Sequence, residues 1–138
     1  MRIFLDANVL FSAAKSDGAV RQLLGLLRAR RHELWVDGYV VEEARRNIVA
    51  KEPASLTTLD ALTKRLRIGY AHAPDAALYR KLPLPEKDKP VLAAVIHHHC
   101  ALLITGDRSH FGPLYGKTIH GVVVHSPRSA AESLLVGK

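Results

Sequence analysis

The chain has 138 residues, a length that fits one domain over residues 1–138 and leaves little room for a second. Hydrophobic residues make up 48% and charged residues 24%, so the chain can form an ordinary globular core without disulfides or a structural metal. Twenty Lys and Arg against thirteen Asp and Glu give a net charge of +7. This surplus favours a polyanionic partner such as nucleic acid, or else it only keeps the protein soluble.

The sequence has a single cysteine, Cys100, which excludes an internal disulfide framework and suits a reducing compartment. No run approaches the roughly 18 apolar residues that a membrane span needs. The acid at Asp6 comes too early for a signal peptide. We therefore expect a soluble, cytoplasmic protein that has no membrane partner.

The N-terminal half alternates between strand and helix patterns. A continuous apolar run at residues 3–5 predicts a short strand that is buried on both faces and ends at Asp6. Residues 20–27 then repeat apolar positions at spacings of three and four, which predicts a helix. The run at residues 34–36 predicts a second strand, and residues 40–48 predict a second helix.

The C-terminal half continues this alternation. Residues 68–71 predict a weaker strand, and residues 91–96 predict a helix with Asp88 as a possible N-cap. Two more strands and a last helix are predicted at residues 101–104, 122–124 and 127–135. Strands that alternate with helices predict an α/β fold, in which a parallel sheet of about five strands is covered by helices on both faces.

Acidic residues fall where such a sheet forms its ligand crevice, outside the carboxyl ends of the strands. Asp6 directly follows the first predicted strand, and Asp107 follows the strand at residues 101–104. Glu43 and Asp88 lie near the starts of helices that leave the same edge. Four acids that are widely separated in sequence are therefore expected to converge.

Each acid also has a purely structural explanation. Asp6 and Asp88 could cap helices, and Asp107 could belong to a turn. Glu43 could simply complement the helix dipole, and Glu42 beside it is an equal candidate for the crevice. Adjacent helix residues point about 100° apart, so only one of the two faces the crevice. The apolar periodicity does not separate them.

Converging carboxylates require a partner. Two of them about 4 Å apart repel by roughly 4 kcal/mol at an effective dielectric near 20, so the site would bind cations. Oxygen ligands select Mg²⁺ or Mn²⁺ rather than zinc. One or two such ions can activate a water for in-line displacement at phosphorus. The carboxylates would then hold metal and would not themselves attack.

Four short stretches carry these acids: F-L-D-A-N-V-L from Phe4, V-E-E-A from Val41, D-K-P-V-L-A-A from Asp88 and I-T-G-D from Ile104. In this order they resemble the four acidic motifs of PIN-domain ribonucleases. The resemblance spans nearly the whole chain. A small single-domain protein of this kind looks like the VapC-type toxin of a toxin–antitoxin pair.

The resemblance implies a three-layer α/β/α fold and Mg²⁺- or Mn²⁺-dependent endonucleolytic cleavage of RNA, with a cognate antitoxin and a homodimer as further expectations. It implies that the catalytic, metal-binding acids are Asp6, Glu43, Asp88 and Asp107. It favours Glu43 over Glu42, and it implies supporting roles for Asn8 and Thr105. We expect Asp6 and Asp88 to hold the principal ion.

Two features depart from the family pattern. Gly38 stands where many members have Ser or Thr near the start of the second motif's helix. After Asp107 a further acid is common in the family, but here the sequence continues R-S-H-F from Arg108, so a fifth acidic ligand is missing.

Several other functions remain as alternatives. A haloacid dehalogenase-type phosphatase needs a second acid where the chain has Asn8, and a receiver domain needs a phosphoacceptor for which Asp37 is the candidate. A basic α/β module could bind nucleic acid or protein without cutting, and a PIN-like nuclease could process RNA without being a toxin. Three imidazoles and a thiol at residues 97–100 could suggest zinc, but successive helix residues diverge, so the three imidazoles cannot share one ion. His97 and Cys100 share a helix face, but two ligands do not make a structural zinc site, which takes four.

Clustered basic residues complete the sequence-based site. Most are expected to lie on solvated helix faces. Those that lie close in sequence to the acids are our candidates for RNA phosphate contacts: Arg45, Arg46, Lys87, Lys89 and Arg108.

Overall fold

A computed structural model describes residues 1–70, 72 and 75–135 of the chain. Its centre is a six-stranded sheet in the order β3-β2-β1-β4-β6-β5. The strands are β1 Arg2–Leu5, β2 Glu33–Asp37, β3 Arg67–Gly69, β4 Leu102–Ile104, β5 Thr118–Ile119 and β6 Val122–His125. All neighbours pair in parallel except β5 with β6. This confirms the predicted α/β fold with a mostly parallel sheet.

In the part of the chain that the structure describes, seven α-helices flank the sheet. They are α1 Ala7–Lys15, α2 Ala19–Ala29, α3 Gly38–Lys51, α4 Leu56–Thr63, α5 Ala76–Lys81, α6 Lys89–His97 and α7 Pro127–Leu134. Short 3-10 turns occupy Pro53–Ser55, Glu86–Asp88 and Gly112–Leu114. The apolar spacing predicted α2, α3, α6 and α7, but it did not predict α4 and α5. None of the described helices is long and apolar enough to cross a membrane.

The central strands are buried on both faces. Ile3, Phe4 and Leu5 of β1 have no exposed surface, although consecutive strand residues point to opposite sides of a sheet. Burying each such side chain contributes about 2 kcal/mol relative to leaving it exposed. Apolar layers therefore cover both faces of the sheet, as a three-layer α/β/α arrangement requires.

The sheet has six strands rather than about five. The additional β5 is only two residues long and joins β6 through a tight turn at His120 and Gly121, whose φ angles of +48° and +83° are left-handed. A strand this short leaves no apolar run in the sequence. The predicted strand at residues 68–71 is observed as Arg67–Gly69, and Ala71 lies outside the described residues.

The sheet brings distant segments of the chain to one edge. β1 and β4 are parallel neighbours, and Leu5 is paired with Ile104 in their register. The amide of Asp6 continues this pairing with a 3.0 Å hydrogen bond to the carbonyl of Ile104. Asp6 and Thr105 are consequently the first residues beyond two adjacent strands, at the carboxyl edge where α/β sheets form their crevices.

Candidate active site

A polar cleft of about 340 Å³ opens at the carboxyl edge of β1 and β4. We call it the acidic cleft. Its lining residues are Asp6, Asn8, Tyr39, Glu43, Arg46, Asn47, Lys87, Asp88, Val91 and Asp107. The structure thus brings together the four acids that the sequence predicted to converge, although they come from four separate segments.

Asp6 is the most buried of these acids, with 7% of its surface exposed. Its Oδ1 accepts a 2.8 Å hydrogen bond from the amide of Ala7, so Asp6 does cap α1. Its Oδ2 accepts a 2.7 Å hydrogen bond from the Thr105 hydroxyl and a longer one, of 3.4 Å, from Nδ2 of Asn8. Asp6 therefore combines the structural role of a cap with a second oxygen held at the cleft.

The pKa of Asp6 is raised to about 6, chiefly by burial, and the nearby charges of Glu43 and Asp88 contribute in the same direction. The hydrogen bonds from Thr105 and Ala7 oppose this shift because they favour the ionised carboxylate. The shift therefore reflects mainly the burial of Asp6, and the carboxylates of Glu43 and Asp88 add a smaller contribution. A positively charged ligand would stabilise the ionised carboxylate and lower this pKa.

Asn8 and Thr105 form a small network around Asp6. Oδ1 of Asn8 accepts a 2.7 Å hydrogen bond from the amide of Gly106, and the Thr105 hydroxyl accepts one of 3.2 Å from the amide of Asp107. The hydroxyl of Tyr115 donates a 2.8 Å bond to the carbonyl of Thr105. These contacts position the loop that carries Asp107. Tyr115 was not identified from the sequence, because it lies outside every motif.

The carboxylate of Asp88 does not cap the helix that it precedes. Asp88 occupies the N-cap position of α6, yet its side chain accepts no capping hydrogen bond, and Pro90 in the first turn leaves one fewer amide to cap. Its Oδ2 lies 2.7 Å from Nδ1 of His110 instead. The capping explanation for Asp88 is therefore wrong, and the carboxylate faces the acidic cleft.

The start of α3 decides which of Glu43 and Glu42 faces the acidic cleft. The carboxylate of Asp37 accepts a 3.0 Å hydrogen bond from the amide of Val40 and caps the helix, which starts at Gly38 without a Ser or Thr cap. With this start, Glu43 lines the acidic cleft. Glu42 is exposed, with a loose 4.0 Å contact to the guanidinium of Arg46.

His110 is the candidate site residue that sequence reasoning missed. Its Nδ1 lies 2.7 Å from Oδ2 of Asp88 and 3.2 Å from Oδ2 of Asp107. The only signal in the sequence was its position three residues after Asp107, in the stretch where a further acid was missing. A helical turn places residues at this spacing on one side. The amide of His110 closes that turn with a 3.1 Å hydrogen bond to Oδ1 of Asp107.

These residues fit a divalent cation. Among the described residues, the group of candidate ligands that come within 4.8 Å of one another consists of Asp88, Asp107 and His110. Oδ2 of Asp88 and Nδ1 of His110 are buried, and neither makes a hydrogen bond of acceptable geometry to another described residue. Buried polar atoms without a partner are costly unless an ion or water satisfies them. Asp6 and Asp88 line the same cleft, and their expected pairing at the principal ion stays a prediction.

The five candidate phosphate contacts are not equally placed. Arg46 and Lys87 line the acidic cleft. Lys89 is buried, and its ammonium group pairs with Glu86 at 2.7 Å, so a phosphate contact by Lys89 is excluded in this conformation. Arg45 pairs with Asp60, and neither Arg45 nor Arg108 lines the cleft.

Among the described residues, the group of candidate metal ligands includes none of the side chains at residues 97–100. α6 ends at His97, and the rings of His97 and His98 meet edge to face at 4.9 Å, while His72 stacks on His97 at 3.9 Å. Burial raises the pKa of the Cys100 thiol to about 12. A thiol with so high a pKa carries very little of the reactive thiolate at neutral pH, which argues against Cys100 as a nucleophile.

Comparison with solved structures identifies a shared fold. VapBC2 from Rickettsia felis, solved bound to a DNA fragment from their promoter, is similar with a TM-score of 0.68 and 19% identity over 91% of this chain and 98% of that chain. VapBC-1 from nontypeable Haemophilus influenzae is similar with a TM-score of 0.65 and 15% sequence identity, over 93% of this chain and 99% of that chain. FitAB bound to an IR36 DNA fragment is similar with a TM-score of 0.65 and 19% sequence identity, over 91% of this chain and 94% of that chain.

A search of curated protein sequences finds no significant match. The model of one protein family, described as the PIN domain, matches residues 2–109. The matched range includes Asp6, Glu43, Asp88 and Asp107, and it ends just before His110. The fold and this match together show that the chain belongs to the PIN domain family.

Proposed function

We propose that the protein is an Mg²⁺- or Mn²⁺-dependent endoribonuclease and the toxin of a type II toxin–antitoxin pair. The observation that carries the nuclease proposal is the convergence of acids from four segments in one cleft, where buried atoms of Asp88 and His110 lie 2.7 Å apart without forming a hydrogen bond. PIN domains are generally nucleases, and divalent metals are typical of the family.

Asp88 and Asp107, with Asp6 and Glu43 in the same cleft, are the residues that would hold the cation. When bound, a divalent cation supplies an activated water and neutralises charge on a phosphodiester. The carboxylates provide the oxygen ligands that Mg²⁺ and Mn²⁺ prefer. Thr105 keeps the carboxylate of Asp6 oriented through its 2.7 Å hydrogen bond.

The remaining charge of the chain favours RNA binding. With the four acids of the cleft set aside, nine acidic residues face twenty Lys and Arg. Such a surface attracts a polyanion, whereas the cleft repels it until a cation binds. Arg46 and Lys87 at the cleft are the best-placed groups to bind phosphates that flank the scissile bond. A basic module that binds without cutting does not account for the acidic cleft.

The toxin proposal is supported by the solved structures that share the fold. Their names describe VapBC and FitAB assemblies, two of them bound to DNA. By analogy, this chain would be inhibited by a cognate antitoxin and would form a homodimer.

The nuclease proposal can be tested with purified protein and a structured RNA. We expect cleavage in Mg²⁺ or Mn²⁺ and none in excess EDTA. Asp88→Asn should abolish cleavage, whereas Asp17→Asn should not, because Asp17 is 78% exposed and makes only a 3.9 Å contact with Arg21. Cleavage that survives EDTA or Asp88→Asn would refute the proposal.

The toxin proposal needs a separate test in cells. Brief expression should arrest growth, Asp88→Asn should relieve the arrest, and co-expression of the product of the neighbouring gene should also relieve it. Harmless expression of a protein that cleaves RNA in vitro would instead indicate RNA processing. Sequencing the RNA ends formed after induction would identify the substrate.

A further inference from the structure

We propose that His110 supplies a nitrogen ligand to the cation of the acidic cleft and so makes the site favour Mn²⁺ over Mg²⁺. The inference rests on the proposed function, because His110 can act as a ligand only if the cleft holds a cation. It goes further, because it assigns a ligand that none of the acidic motifs contains and a preference among metals.

The distances around His110 fit neighbouring ligands of one ion. Nδ1 lies 2.7 Å from Oδ2 of Asp88 and 3.2 Å from Oδ2 of Asp107. Octahedral metal–oxygen bonds of about 2.1 Å place neighbouring ligand atoms about 3 Å apart. The two observed separations lie on either side of this value. One nitrogen and two oxygens are therefore already as close together as one coordination shell requires.

A hydrogen bond does not explain the approach of Nδ1 to Asp88. Both Nδ1 and Oδ2 of Asp88 are buried, and their mutual orientation fails the geometry of a hydrogen bond despite the short separation. Hydrogen bonds depend strongly on the direction of the donor, whereas an ion beside the two atoms satisfies both lone pairs. The pair therefore meets the distance of an ion pair but not the geometry of a hydrogen bond, and its two atoms are placed to serve as ligands of one ion.

The backbone holds His110 in this position. Its amide donates a 3.1 Å hydrogen bond to Oδ1 of Asp107, and the amide of Phe111 donates one of 3.0 Å to the carbonyl of Asp107. The side chain of Phe111 is fully buried in the core. This tight turn positions the imidazole on the same side as the Asp107 carboxylate. The ligand is therefore held in place before any cation binds, which reduces the ordering cost of binding.

The chemistry of a mixed ligand set predicts the preference. Mg²⁺ takes oxygen ligands almost exclusively, whereas imidazole nitrogen is a good ligand for transition metals, among which Mn²⁺ also accepts carboxylates. A neutral imidazole in place of a further carboxylate also leaves less negative charge to attract a hard cation. The nitrogen ligand therefore lowers the affinity for Mg²⁺ relative to Mn²⁺, whereas the smaller negative charge weakens the attraction of both cations, which carry the same charge.

The decisive test is pulsed electron paramagnetic resonance on the full chain loaded with Mn²⁺. We expect electron spin-echo modulation from a directly bound nitrogen, with the frequency shift of ¹⁵N when the histidines are labelled. The signal should vanish in His110→Asn, which keeps a ligand atom in place of Nδ1 but makes it oxygen. It should persist in His120→Asn, because His120 is exposed in the β5–β6 turn, at the opposite edge of the sheet.

Calorimetry with MnCl₂ and MgCl₂ provides the second readout. Removing a group that only supports a metal ligand commonly costs 10–100-fold in affinity, so we expect loss of a direct ligand in His110→Asn to weaken Mn²⁺ binding by at least about tenfold. Mg²⁺ binding should change by less than about threefold, and His110→Asp should bind Mg²⁺ more tightly than the wild type. Equal losses for both metals would overturn the inference.

The outcomes separate this inference from the proposed function. Mn²⁺ that binds to the wild type without nitrogen modulation would overturn the role of His110, while Mg²⁺-dependent RNA cleavage would leave the nuclease proposal intact. Failure of the wild type to bind either metal would refute both. The spectrum of the wild type requires no substitution, so a variant that fails to fold cannot obscure the result.

Discussion

The hydroxyl of Thr105 donates a 2.7 Å hydrogen bond to Oδ2 of Asp6 and so joins the first residues beyond two neighbouring strands. Both groups are buried, and Thr105 has no exposed surface. The same hydroxyl accepts a 3.2 Å hydrogen bond from the amide of Asp107. One side chain thus positions two of the acids in the cleft.

Thr105→Val should weaken both stability and cleavage. Valine keeps the shape but removes a hydrogen bond to a charged, buried group, which is worth about 2 kcal/mol. We expect urea unfolding in Mg²⁺ at neutral pH to show this loss, with cleavage reduced because Asp6 is less well oriented. Thr105→Ser should restore most of both. If valine and serine behave alike, the hydroxyl does not position Asp6.

Asp6 should make the metal-free protein less stable as the pH rises from about 4 to about 6. The pKa of Asp6 is about 6 in the folded protein against an ordinary value of 3.8, so the folded state binds more protons in this window. Above about pH 6, the ionised Asp6 lowers the free energy of unfolding by up to about 3 kcal/mol.

Asp6→Asn removes this titration. In EDTA, we expect the stability of the variant relative to the wild type to increase between about pH 4 and pH 7, as followed by urea unfolding. Saturating Mg²⁺ should reverse the order at pH 7, because the wild type gains more from binding. A pH-independent difference between the two proteins would contradict the assigned burial of Asp6.

Glu43 and Glu42 offer a matched pair of substitutions on α3. Glu43 lines the acidic cleft, whereas the side chain of Glu42 is 74% exposed. We expect Glu43→Gln to reduce cleavage by at least about tenfold through weaker metal binding. Glu42→Gln should stay within about twofold of the wild type, because exposed ion pairs contribute little. The reverse order would mean that α3 presents its other face to the site.

Substitutions of Arg46 and Arg45 would distinguish a direct contact with RNA from a general effect of surface charge. In the non-cleaving Asp88→Asn background, Arg46→Ala should weaken RNA binding and reduce the slope of log affinity against log salt by about 0.7, the value for one single-strand phosphate contact. Lys87→Ala should behave in the same way. Arg45→Ala should leave the slope unchanged, because Arg45 pairs with Asp60 outside the cleft. Fluorescence anisotropy over a salt series would measure these slopes.

Cys100 should be protected until the protein unfolds. With a thiol pKa of about 12, roughly one molecule in ten thousand carries a thiolate at pH 8. Iodoacetamide should therefore modify native protein very slowly and urea-unfolded protein readily, as mass spectrometry would show. Cys100→Ala should retain cleavage. Rapid alkylation of the native protein would contradict the burial of this thiol.

The sequence was sufficient to predict the class of fold. Continuous apolar runs such as residues 3–5 are specific to strands buried on both faces, and they alternate with helical spacing. What it did not predict was the short β5 and the helices α4 and α5. Ile68 in β3 is 56% exposed, and β5 has two residues, so neither edge strand has a strong apolar pattern.

The sequence by itself also placed Asp6, Asp88 and Asp107 at one edge. Parallel strands end at the same edge of a sheet, and the helices that leave that edge begin there. Only the tertiary structure decided between Glu43 and Glu42, turned Lys89 towards Glu86 and brought His110 to Asp88. These choices depend on how a turn or helix is rotated against segments that are distant in the chain. Local patterns determine which element a residue joins, whereas packing between elements determines what its side chain meets.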